Sequence, residues 1–442
     1  MYSLSELKSS TGVSMYQLAK SLMPGGTQLL SKRPEMFAPE VWPAYYSKAK
    51  GCRVWDLNGR EFVDMSIMSV GACILGYADE EVDEAVIRAI RDGVNSSLNC
   101  PEEVQLAEAL IELHPWFDMV RYARSGGEAM SIAVRIARAH TGRDTVMFSG
   151  YHGWNDWYLA ANLSDDNNLD GQLMPGLEPR GVPRGLVGTA LPFDANSIES
   201  LRAKIKGNEK KIAAIIIEPA RGEDATSGYL KSLRELADEI DAVLLFDEIT
   251  SGYRMCAGGI HRNYGVQPDM AVFAKSMANG YAMSAVMGTE KVMQAAQTTF
   301  ISSTNWTDRI GPTAAMATLR KYQRDQVDRH IITIGNKMQQ IWKSSAKNAG
   351  LSISVTGLPS LAAFAFQSPN SVEMNTRYTI GMLKEGFLGF RQFKASQSHS
   401  DTELNQYERA VKKVFYEIAS DPCGIDFDTP LHHSGFQRLT KE

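Results

Sequence analysis

Two short apolar runs, Ala242-Val243-Leu244-Leu245-Phe246 and Met270-Ala271-Val272-Phe273-Ala274, each end on one charged residue, Asp247 and Lys275. Runs this short and this continuously apolar read as strands buried on both faces, the pattern of a parallel sheet. Further runs stand at 146–149, 212–217 and 284–287, with helical patterns between them. One helical pattern covers 79–93, where Val82, Ala85, Val86, Ala89 and Ile90 share a face and Gly93 suits the C-terminal cap. This alternation specifies an α/β fold whose mostly parallel sheet is covered by helices on both faces.

The flanks read differently. The first 35 residues start as helix and break at Met23-Pro24-Gly25-Gly26, a turn signal. Strands follow between Tyr45 and Asp64, around the hairpin sequence Leu57-Asn58-Gly59-Arg60. After residue 321, Val327, Ile331, Ile334, Met338, Ile341 and Trp342 mark a long amphipathic helix. A strand at 361–366 and a helix from about 401 to 418 complete a smaller α+β domain. With 442 residues to divide, the expected organisation is an N-terminal segment (1–60) packing with the small domain, a large domain (61–320) and a small C-terminal domain (321–442).

Composition narrows the function. A net charge of -5 and the lack of a basic stripe with interleaved aromatics argue against nucleic acid as a partner. No apolar run approaches the roughly 18 residues of a spanning helix, so no membrane partner is expected. The start, Met1-Tyr2-Ser3-Leu4-Ser5-Glu6, lacks a leader pattern, which makes the cytoplasm the expected compartment. Cys52, Cys73, Cys100, Cys256 and Cys423 are scattered without ligand spacing and support neither a metal site nor disulfides.

The chemistry concentrates at strand ends. Ligands of open α/β sheets bind in the crevice beyond the carboxyl ends of the strands. An amine such as Lys275, shielded there from water, can form a Schiff base. A buried carboxylate such as Asp247 is the partner a pyridinium nitrogen requires, so the pair points to pyridoxal phosphate chemistry. Tyr151-His152-Gly153-Trp154 follows the run 146–149 and offers an aromatic ring to a planar cofactor, or simply packs. Glu218-Pro219 ends the run 212–217, with Glu218 either desolvated for a purpose or paired with an arginine such as Arg221. Arg124-Ser125-Gly126-Gly127-Glu128-Ala129 opens a helix whose exposed N–H groups can receive a phosphate, although a Gly-Gly turn can be purely structural. Together these endings describe one active site.

In these features the chain resembles the class III aminotransferases among the fold-type I pyridoxal phosphate enzymes, above all glutamate-1-semialdehyde 2,1-aminomutase and its related aminotransferases. Pro24-Gly25-Gly26, Ser125-Gly126-Gly127-Glu128-Ala129, Tyr151-His152-Gly153, Glu218-Pro219, Phe246-Asp247-Glu248 with Gly252-Tyr253-Arg254, Ala274-Lys275-Ser276 and Ser303-Thr304 carry the resemblance across roughly residues 20 to 440.

The resemblance implies that Lys275 holds pyridoxal 5′-phosphate as an internal aldimine and then moves the proton, with pyridoxamine 5′-phosphate as the alternate form. It implies that Asp247 keeps the ring nitrogen protonated, that Tyr151 stacks on the ring, and that Ser125, Gly126, Gly127, His152 and Glu218 belong to the cofactor site. Thr304 matches a threonine that reaches the neighbouring subunit's phosphate, which implies a homodimer with shared active sites. The family usually has Ser or Thr where Gly127 stands. Arg124 adds charge near the phosphate or the substrate entrance. The aminomutase's substrate-carboxylate arginine falls on Lys32 or Arg33. The expected reaction moves an amino group between a small-molecule amino donor and an aldehyde or keto acceptor, with intramolecular aminomutase transfer as the alternative. A catalytically dead binding fold would have no use for both Lys275 and Asp247.

Overall fold

The computed structural model describes residues 1–172, 175–195, 197–220, 227–421, 429–433 and 435–436. Arg221 and Cys423, both named above, lie outside the described residues. The chain forms two compact units, Met1–Asp79 with Arg329–Glu442, and Glu80–Asp328.

In the first unit, β1 (Tyr46–Lys50), β2 (Arg53–Asp56) and β3 (Glu61–Met65) form an antiparallel meander around the Gly59 turn. In the second, β4 (Met119–Ala123), β5 (Thr145–Ser149), β6 (Ala190–Pro192), β7 (Ile212–Ile217), β8 (Val243–Asp247), β9 (Met270–Phe273) and β10 (Ser284–Gly288) form a sheet ordered β4-β10-β9-β8-β7-β5-β6. The pairs β9–β8, β8–β7, β7–β5 and β5–β6 are parallel, while β10 runs antiparallel to both β9 and β4. Every residue of β7 to β10 is buried, as expected of strands covered on both faces.

Returning to the first unit, β11 (Ile353–Thr356), β12 (Leu361–Phe366) and β14 (Gln392–Lys394) make a small antiparallel sheet, and β13 (Phe387–Gly389) pairs in parallel with β3. That pairing explains why the first unit runs past residue 60, to Asp79; its second stretch begins at Arg329 rather than near 321. Held between β2 and β13, β3 cannot leave the terminal unit, so residues 61–79 stay with it.

One helix does most to brace the large sheet. Gly126–Thr141 lays Met130, Ala133, Val134 and Ala137 into a core shared with Val146, Ile216, Leu245 and Val272. Ser125 and Glu128 form a reciprocal capping box at its start, and left-handed Gly142 closes its end. Register sets Ser149 beside Ile217, Ile217 beside Phe246, and Asp247 beside Val272. The neighbouring strands β5, β7, β8 and β9 therefore all finish along one edge.

Candidate active site

Along that edge stand Tyr151-His152 after β5, Glu218 after β7, Asp247 on β8 and Lys275 after β9. Asp247 is 3% exposed and His152 1%. His152 Nδ1 lies 2.8 Å from Asp247 Oδ2, and its Nε2 lies 3.0 Å from the Ser149 carbonyl oxygen. A carbonyl oxygen can only accept, so Nε2 carries a hydrogen, and one proton is shared across the contact between Nδ1 and the carboxylate. The other carboxylate oxygen, Oδ1, accepts the Ile249 N–H at 3.0 Å. Asp247 is thus fixed at both oxygens with acceptor capacity left for a cationic N–H.

Glu218 Oε1 accepts the Tyr151 N–H at 3.1 Å. Donor atoms of His152, Glu218 and Asp247 fall within 4.8 Å of one another. A metal would need a lone pair from His152, yet Nε2 bears its hydrogen and Nδ1 is engaged with Asp247. His152 supports the Asp247 carboxylate by hydrogen bonding, and Glu218 holds the Tyr151 backbone beside them.

Lys275 adopts a positive φ of 36° immediately after β9, which breaks strand geometry at the cost of about 1–3 kcal/mol. Its Nζ donates to Thr250 Oγ1 at 2.8 Å. Tyr151 is half-buried, its ring edge-on to Tyr158 at 5.7 Å between centroids.

The first turn of the helix Gly126–Thr141 completes the edge. The Gly126 and Gly127 N–H groups belong to the turn whose donors have no intrahelical acceptor. A Cβ on Gly126 would lie 2.9 Å from Ile249, and one on Gly153, at φ 109°, 3.2 Å from the Gly127 Cα. Backbone therefore packs where side chains would block an approaching anion. Asn155 Nδ2 steadies this turn by donating to the Gly127 carbonyl at 2.6 Å and to Ser131 Oγ.

The remaining expected residues have their own settings. Ser125 serves as the helix cap, with its N–H donating to Glu128 Oε2 at 2.9 Å and its hydroxyl accepting from the Glu128 N–H. The substrate role expected of Arg124 needs correction, because its guanidinium is fully engaged within the fold. Nε donates to Asp308 Oδ2 at 2.6 Å, NH1 to the Ala123 carbonyl and Met283 sulfur, and NH2 to the carbonyls of Trp306 and Asp308. All five N–H donors are used, so Arg124 clamps the 306–308 segment. Lys32 and Arg33 belong to the other compact unit. Lys32 is exposed, while Arg33 packs onto the Pro-Gly-Gly turn, where a Cβ on Gly25 would lie 2.5 Å from its guanidinium. Thr304 begins an exposed helical turn, Thr304–Thr307.

The sequence reading missed Thr250 and Asn155. A hydroxyl three residues beyond Asp247 was the available signal for the first, and an Asn-Asp helix start for the second.

Comparison with known proteins agrees with this geometry. Residues 36–392 match the family described as aminotransferase class-III. The chain is 31% identical over 433 residues to a 3-aminobutyryl-CoA aminotransferase of Cloacimonas acidaminovorans, covering 93% of this chain and 98% of that protein. It is likewise 31% identical to a glutamate-1-semialdehyde 2,1-aminomutase of Citrifermentans bemidjiense, covering 92% and 99%. Among solved structures, an omega-transaminase from Sphaerobacter thermophilus superposes with a TM-score of 0.82 at 25% identity, covering 93% of this chain and 98% of its own. A transaminase with PLP bound gives 0.82 at 26% identity, covering 92% and 97%.

The chain belongs to the class-III aminotransferases.

It has the fold-type I architecture of that family, depends on pyridoxal 5′-phosphate, and transfers amino groups between small molecules. The donor set fits that cofactor. An amine, a buried carboxylate and a helix N-terminus built of two glycines occupy one edge of one sheet. Among the described residues no helix is both long and apolar enough to cross a membrane.

Behind Asp247 the strand's next side chain, Glu248, is buried and pairs with His261 Nδ1 at 2.6 Å. His261 stacks on His114 with centroids 5.9 Å apart. His114 is held as the neutral Nδ1–H tautomer, with Nδ1 2.9 Å from the Leu110 carbonyl and Nε2 accepting the Gly259 N–H at 3.0 Å. Burial pushes its pKa down from 6.5 to about 4. Below pH 6.5 the unfolded chain therefore binds a proton that the folded chain refuses, and stability falls until the pH reaches about 4. Urea denaturation across this range should show the wild type losing about 3 kcal/mol more than His114→Gln. Parallel stability curves for the two proteins would refute the assignment.

Proposed function

We propose that Lys275 is the residue that holds pyridoxal 5′-phosphate covalently and then carries the proton between the substrate carbon and the cofactor. Asp247, steadied by His152 and the Ile249 N–H, is the partner of the protonated pyridine nitrogen. Bound there, the cofactor supplies an electron sink for the substrate's Cα–H bond. Tyr151 lies against the ring, Glu218 fixes the Tyr151 backbone, and the Gly126 and Gly127 N–H groups receive the phosphate under the helix dipole. The observation that carries this reading is the placement of Asp247, His152 and Lys275 at parallel strand ends along one edge of the sheet.

Transfer between two separate molecules is the favoured reading over aminomutase-type transfer within one. An aminotransferase and an aminomutase match the chain over nearly the same span, and the preference is supported by the solved structures at 25–26% identity, both described as transaminases. The full commitment of Arg124 also removes one bidentate grip for a substrate carboxylate beside the site. Four cysteines among the described residues are free thiols, which suits the reducing cytoplasm.

The active form we propose is a homodimer. Thr304 is exposed on its own chain, beside a segment whose Phe300 is 82% exposed, and Leu98 is equally bare. The Arg309 N–H binds the Val94 carbonyl at 3.0 Å, which ties the 94–98 stretch to the 300–309 stretch as one surface. Exposed apolar groups gathered in this way mark an interaction surface. From there Thr304 serves the neighbour's phosphate, at a site lacking the hydroxyl usual in place of Gly127.

An amino donor supplied without acceptor should convert the wild-type cofactor spectrum and release one equivalent of oxo product per site. Lys275→Ala should do neither, and an aminomutase would release no product. Conversion by Lys275→Ala would overturn the catalytic assignment.

Thr304→Ala should retain cofactor at least about 10-fold less tightly while sedimenting as the same dimer, since a hydrogen bond to a charged group contributes about 1.5–3 kcal/mol. A fully loaded, active monomer in sedimentation would contradict the shared site.

A further inference from the structure

The turn after β8 holds a hydroxyl whose position the fold determines closely. Asp247 Oδ1 accepts the Ile249 N–H, the Gly252 N–H binds the Glu248 carbonyl at 2.8 Å, and Ser251 Oγ donates to Glu248 Oε2. A Cβ on Gly252 would lie 2.6 Å from the Glu248 carbonyl oxygen, so the turn closes too tightly for another residue. Ile249 is wedged against Gly126 at the helix start. Between these fixed points Thr250 directs Oγ1 at Lys275 Nζ, 2.8 Å away.

Lys275 is a long side chain on a strained backbone, and ordering such a chain costs rotamer freedom. A hydroxyl both accepts and donates, so Thr250 can bind Nζ as an ammonium or as a neutral amine. A backbone N–H could bind only the neutral amine, and a carboxylate could bind no lone pair and would favour the charged form.

We propose that Thr250 is a positioning residue for Lys275: it holds Nζ at the sheet edge whenever the amine is not covalently engaged. The inference rests on the reading of Lys275 given above. Held there, the amine would be kept at the edge where the cofactor's aldehyde would be captured. Its lone pair forms the C–N bond, and the aldehyde oxygen departs as water with the two amine protons. The same contact keeps the freed amine in place while it moves the substrate proton.

The test compares Thr250→Val, which keeps the shape and removes the hydroxyl, with Thr250→Ser, which keeps the hydroxyl. The first readout is the second-order rate at which apoenzyme captures pyridoxal 5′-phosphate, followed by absorbance. The second is the split between kcat and KM for the donor. Thr250→Val should capture cofactor about 10-fold more slowly and lose about 10-fold in kcat, with KM within about two-fold, as expected for losing a hydrogen bond to a charged group. Thr250→Ser should stay within about three-fold of wild type on both. If the valine variant does not fold, Thr250→Ala takes its place with the same expectation. Wild-type capture by the variant lacking the hydroxyl overturns the proposal, as does equal impairment of the serine variant. Capture that survives in Lys275→Ala refutes the reading of Lys275 itself, and this control separates the two failures.

Discussion

The buried contact between Asp247 and His152 is the constraint on which the rest of this site depends. A carboxylate taken out of water is tolerated only when partners replace its hydration. Here the imidazole holds one oxygen and the Ile249 N–H the other. Both partners are placed by the sheet. His152 follows β5, anchored through Ser149, while Ile249 lies in the turn leaving β8. The parallel register between β5, β7 and β8 is therefore what brings together groups 95 residues apart in sequence. Slippage by one residue would turn Asp247 to the opposite face of the sheet.

Much of this was legible in the sequence because the central strands are apolar without interruption. Strands buried on both faces write their positions as continuous runs, and β5, β7, β8, β9 and β10 fall where those runs stand. The half-exposed β4 and the three-residue β6, β13 and β14 carry no such pattern. The antiparallel direction of β10 left no mark either, since burial on both faces does not depend on direction. Asp247 and Lys275 stood out because an ionisable residue ending an apolar strand demands a partner. Which partner it finds is a tertiary fact: His152 proved to lie behind Asp247, and Thr250 beside Lys275.

Arg124 shows the opposite case. A cation beside a phosphate-loop sequence invites a ligand-binding role, yet its acceptors, Asp308 and the Trp306 carbonyl, come from more than 180 residues away. No local pattern announces such a contact. Class membership fixes the cofactor and the type of reaction. Beside that stand local features of this chain: Gly127 at the helix start, Thr250 against the lysine, and an arginine held within the fold.

The central claim is that Asp247 keeps the cofactor's ring nitrogen protonated. Nuclear magnetic resonance of the holoenzyme carrying cofactor labelled with nitrogen-15 in the ring tests it most directly. The wild type should show a ring nitrogen bonded to hydrogen, and Asp247→Asn an unprotonated one. An unprotonated nitrogen in the wild type, or an unchanged protonated signal in the variant, would contradict the role given to the carboxylate.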